Sequence, residues 1–79
     1  MTSTAKPRSN SLVVCIENDG YRASLEKRKF YVAIPDSKAE RNGLLRIIDE
    51  SGEDYLYPKN FFRAVALPAA VKKALLAAA

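Results

Sequence analysis

With 79 residues, 13 basic against 9 acidic side chains and a formal charge of +4, the chain holds material for one small core. It has no histidine and one cysteine, Cys15, which excludes an intrachain disulfide, leaves a zinc-type site without its ligands and removes the usual nucleophile–base pairs. Catalytic residues, a cofactor and a bound metal are therefore not expected, and the chain reads as a binding or structural module.

Residues 1–10 (MTSTAKPRSN) carry no aliphatic run and are expected to form a disordered arm, because they bury too little apolar area to offset the entropy of ordering. The arm lacks the apolar stretch of a secretory signal, and no later run approaches the roughly 20 apolar residues of a membrane span. A cytoplasmic protein outside the membrane, monomeric by default, is the expectation.

Residues 11–17 (SLVVCIE) alternate Leu12, Val14 and Ile16 against Val13, Cys15 and Glu17, the pattern of a first strand. Asn18-Asp19-Gly20 breaks it, and residues 18–28 form a long first loop. Residues 29–34 (KFYVAI) alternate again as a second strand, which Pro35 ends by removing a ladder donor. Asp36 is placed to cap one or two helical turns over 37–41, with Asn42-Gly43 as a left-handed stop. Residues 44–50 (LLRIIDE) and 53–57 (EDYLY) flank Ser51-Gly52 as a hairpin with glycine at the positive-φ position. Leu45, Ile47 and Leu56 are expected to point inward, with Tyr55 and Tyr57 on the opposite face. Pro58-Lys59-Asn60 makes a tight turn before a last strand over 62–67, and residues 68–79 (PAAVKKALLAAA) read as a short helix that docks through Val71 and Leu75 or frays.

The fold class is thus mostly β: a five-stranded antiparallel barrel over 11–67 followed by a C-terminal helix. Tyr57-Pro58-Lys59-Asn60-Phe61-Phe62 resembles the turn before the last strand of Src-homology-type, or SH3-like, small barrels. On that resemblance Phe61 matches a groove tyrosine, Phe62 a buried valine, and residues 18–28 the long first loop. The wording around VCIEN, GYRASLE and IDESGEDYLYP is also similar to short bacterial stand-alone proteins of unknown function. What the resemblance implies is a recognition scaffold. The absence of tryptophan argues against proline-rich peptides as its ligand.

Two functional readings follow. In the first, Tyr21, Tyr57, Pro58, Asn60 and Phe61, with Tyr55 as a further ring, converge so that the chain, as an interaction module or accessory subunit, binds another protein through the first loop and the turn at 57–62. The competing reading, which a small barrel with few large residues favours, is that these rings serve its own core and rim. In the second, Arg22, Lys27, Arg28 and Lys29 contact the phosphates of a nucleic acid while Tyr21 or Phe61 stacks on a base. Charge favours the first: residues 11–67 carry nine basic and nine acidic side chains, and the surplus lies on Lys6, Arg8, Lys72 and Lys73. Asp49, Glu50, Glu53 and Asp54 around the hairpin turn are read as surface acids, since their spacing does not fit a calcium loop. Cys15, inside a strand, is read as a small core residue.

Overall fold

The computed structural model describes residues 9–78; the arm expected at 1–10 lies almost wholly outside them, and its last two residues, Ser9 and Asn10, are exposed and outside any element. Five strands, β1 (Ser11–Cys15), β2 (Phe30–Ile34), β3 (Leu44–Ile48), β4 (Asp54–Pro58) and β5 (Phe62–Ala64), form one antiparallel sheet in the order β4-β3-β2-β1-β5. The sheet is open: β5 pairs with β1 and β4 with β3, and no ladder joins β4 to β5, so the ring of a closed barrel is not completed.

The first and last strands are shorter than their apolar runs because the regular ladder gives way to isolated backbone bonds at their ends. Beyond Cys15 the first strand continues only as single bonds, Ile16 N–H to the Phe61 carbonyl at 2.8 Å and Arg28 N–H to the Cys15 carbonyl at 2.8 Å. The last strand stops at Ala64, with one further bond from Val65 N–H to the Leu12 carbonyl at 3.3 Å.

Both faces of the sheet are covered. Val13, Cys15, Tyr31, Ala33, Ile47, Tyr57 and Phe62 make the main core, closed over by Leu25 from the first loop. On the other face Leu12 and Val32 are buried, and helix α2 (Ala69–Ala78) lies against β1 with Leu75 and Leu76 half-buried. Val71, expected to share that contact, is exposed.

The hairpin corrects one orientation. Arg46 pairs with Leu56, and Leu45 and Ile47 pair with Tyr57 and Tyr55, so Tyr57 shares the inner face and Leu56 points outward, 40 % exposed. Tyr57 is 3 % exposed. The larger ring buries more apolar surface than Leu56 would, and its hydroxyl finds partners inside.

The caps follow the sequence. Asp36 accepts from Ala39 N–H at 3.0 Å at the start of helix α1 (Ser37–Arg41), and Gly43 follows its end at φ +75°. Gly52 sits at φ +84° in the β3–β4 turn. Arg46 on β3 ties three elements together, bonding Asp36 through Nε at 2.9 Å and Asp54 through an Nη at 2.8 Å.

Candidate functional site

The first loop is a pinned structure. Leu25 is 1 % exposed and plugs the core, Asn18 Nδ2 donates to the Leu25 carbonyl at 3.0 Å, and Ser24 and Leu25 N–H both return to the Tyr21 carbonyl. Its far side is fastened to the β3–β4 turn: Glu50 N–H donates to the Ser24 carbonyl at 3.1 Å.

Side chains complete that fastening. Tyr57 donates to Asp49 Oδ2 at 2.5 Å and lies 2.9 Å from Ser24 Oγ, while Asp49 Oδ1 accepts from the hydroxyl and the N–H of Ser51 at 2.6 and 2.9 Å. Burial pushes the Asp49 carboxyl up, but these bonds from Ser51 and Tyr57 outweigh it and its pKa lies below the usual carboxylate value. Alongside, Tyr31 donates to Glu50 Oε2 at 2.6 Å and accepts from Glu26 N–H at 2.7 Å, and Lys29 Nζ reaches the same carboxylate at 2.6 Å. The bonds from Lys29 and Tyr31 hold Glu50 below its ordinary pKa. Burial and the Glu50 bond both raise the Tyr31 phenol.

Asp49 and Glu50 are thus the buckle between turn and loop, a role missed when the four turn acids were read as solvent-facing charges. The available signal was Leu25, the one leucine within residues 18–28, which requires the loop to fold back on the core and bring partners to the turn. No group of three metal-ligating side chains occurs among the described residues.

On this fastened loop three of the expected aromatic residues meet. The Tyr21 ring stands edge-on to Tyr57, with centroids 5.0 Å apart, and edge-on to Phe61 at 5.9 Å. Tyr57 is the buried floor of this group, Phe61 is half-buried, and Tyr21 is 41 % exposed. Ile16, whose N–H bonds the Phe61 carbonyl, is also exposed, and half-buried Pro58 and exposed Asn60 bracket the turn. Chemically this is a short apolar shelf with amide and hydroxyl groups at its rim, suited to an extended apolar segment.

The basic residues do not assemble in the same way. Lys29 is committed to Glu50 and stands 5.8 Å above the Tyr31 ring; Lys27 lies 3.9 Å from Glu17. Arg22 and Arg28 have no side-chain hydrogen bond or ion pair with another described residue, and Arg28 takes φ +68° where the loop rejoins the sheet. Cys15 is fully buried, its Sγ donating to the Glu17 carbonyl at 3.1 Å, and burial raises its thiol pKa, which makes it inert.

A second depression lies across the sheet's open side, a cleft of 340 Å³ floored by Val13, Ala33, Leu45 and Phe62 with Lys59 and Arg63 at its mouth. Among the described residues no helix is long and apolar enough to cross a membrane. No family model, curated protein or solved structure matches the chain, so the geometry just described carries the functional reading by itself.

Proposed function

We propose that this protein is a small interaction module, with a scaffold of SH3-like type, that binds an extended apolar segment of another protein across Tyr21, Phe61, Pro58 and Asn60. The supporting observation is that Tyr21 and Phe61 keep solvent-facing surface while packed edge-on over the buried Tyr57, so the shelf is held rigid before a ligand arrives. Rigid aromatic surface binds at low entropic cost, because little side-chain freedom remains to be lost. The residues it uses perform no chemistry, and an accessory-subunit role in a cytoplasmic assembly fits the same shelf.

The alternative, a nucleic-acid-binding barrel using Arg22, Lys27, Arg28 and Lys29 with an aromatic stack, has less support, since Lys29 is held by Glu50 and Lys27 faces Glu17. An amide-resolved NMR titration separates the two. A peptide selected from a random library is expected to shift Tyr21, Asn60 and Phe61 with little dependence on salt, and Phe61→Ala is expected to abolish those shifts. A mixed single-stranded oligonucleotide that shifts Arg22, Arg28 and Tyr21 together, with an affinity that falls steeply as salt is added, would promote the second reading instead.

A further inference from the structure

The two edges of the sheet are unlike. β5 is three residues long, and of its two residues facing away from β1 Phe62 is used, its N–H bonding the Lys59 carbonyl and its carbonyl accepting from the Arg63 guanidinium at 2.9 Å, which leaves Ala64 alone. At β4 the alternation of the hairpin decides which groups face out. Asp49 N–H bonds the Glu53 carbonyl and Lys59 N–H bonds the Gly43 carbonyl, so the hydrogen-bonded rungs fall on Tyr55 and Tyr57. The N–H and C=O of Asp54 and Leu56 then point away from β3, and among the described residues nothing bonds them. Large apolar side chains flank this open edge, Leu56 on the outer face and Tyr55, 50 % exposed, on the inner one.

We infer that the β4 edge pairs with the β4 edge of a second copy of this chain, antiparallel about a twofold axis at Leu56, joining two sheets into one. In that register Leu56 meets Leu56, Tyr55 meets Tyr57, and Asp54 N–H reaches the Pro58 carbonyl of the other copy. Continuing the register by one residue brings exposed Glu53 toward exposed Lys59, so two opposite-charge pairs flank the axis. Pro58 has no N–H to extend the ladder, and β5, three residues long with only Ala64 left facing out, is too short an edge to propagate pairing, so the pairing closes at two copies instead of growing into a filament. Two half-exposed side chains, Leu56 and Tyr55, make a small contact compared with the roughly 1,200 Å² of stable complexes, so the association is of the weak, transient kind. This surface does not use Tyr21 or Phe61.

Sedimentation equilibrium across the micromolar to millimolar range tests it. The full chain is expected to move from one-copy toward two-copy mass. Glu53→Lys and Lys59→Glu are each expected to weaken association by about tenfold, because each sets like charges across the axis. An equimolar mixture of the two variants, like the double variant, pairs only opposite charges and is expected to restore it. Leu56→Pro removes an outward N–H without breaking a rung of the hairpin and is expected to abolish association, with an unchanged β-type circular dichroism spectrum as the folding control. A one-copy mass throughout, or a dimer indifferent to the charge exchanges and their mixture, would overturn the inference.

Discussion

Tyr57 shows how a single hydroxyl decides an orientation. A tyrosine at the centre of so small a core is tolerated because its O–H is paired with Asp49 and Ser24, which also removes the cost of burying that carboxylate. Leu56, more apolar by type, has no such need and lies outside beside Arg46. Tyr57→Phe keeps the ring and deletes the bond, leaving Asp49 buried with one donor fewer. It is expected to cost about 1–3 kcal/mol in urea unfolding, while Tyr21 keeps its edge contact with the ring. A cost near zero would mean that Asp49 is served by Ser51 alone.

At the scale of elements, the decisive contact joins the first loop to the β3–β4 turn, directly from Glu50 N–H to the Ser24 carbonyl and through the hydroxyls of Tyr57 and Tyr31, which donate to the carboxylates of Asp49 and Glu50. Asp49 and Glu50 both have pKa values below their ordinary ones in the folded state. A depressed carboxylate pKa means that the unfolded chain binds more protons in the acid range, so stability rises with pH there. The contribution is complete above the unfolded value of about 4 and is lost as pH falls through the folded values. Thermal unfolding is therefore expected to be flat near neutrality and to drop steeply below about pH 4, and Asp49→Asn is expected to make that acid limb shallower. Tyr31 acts with the opposite sign: its raised pKa supports folding below the ordinary tyrosine value of about 10, and that support fades as pH rises beyond it. First-loop amides, including the hydrogen-bonded Leu25 N–H, are expected to lose exchange protection before those of β2 and β3 on acidification, since the buckle opens before the sheet.

For the molecule as a whole, α2 supplies a second, smaller apolar layer. Leu12 and Val32 alternate away from the main core and would meet solvent if nothing lay over them. Removing residues 68–79 is expected to cost on the order of 2–3 kcal/mol, the burial of one to two aliphatic side chains, and to broaden the amide signals of Leu12 and Val32. Unchanged stability would show that the helix rests on the sheet without protecting it. The same layering explains why apolar residues on both phases of β1 and β2 made the inward side of those strands hard to assign: with both faces covered, the polar alternation that marks a solvent face is lost.

What the sequence determined by itself were the features written in local chemistry. Asp36 as a cap, Gly43 and Gly52 at positive φ, Pro35 as a strand end and the antiparallel succession of five strands all depend on neighbours within a few residues. Tyr21 and Phe61 could be named from the sequence as candidates for one aromatic patch, but their edge-on contact belongs to the tertiary structure. Tertiary structure alone decided which hairpin face is inner, that Asp49 and Glu50 fasten the first loop, that Lys29 is spent on Glu50, and that β4 keeps a longer open edge than β5. These outcomes turn on partners from eight to 33 residues apart, where register and burial choose among side chains that look equally suitable in the linear chain.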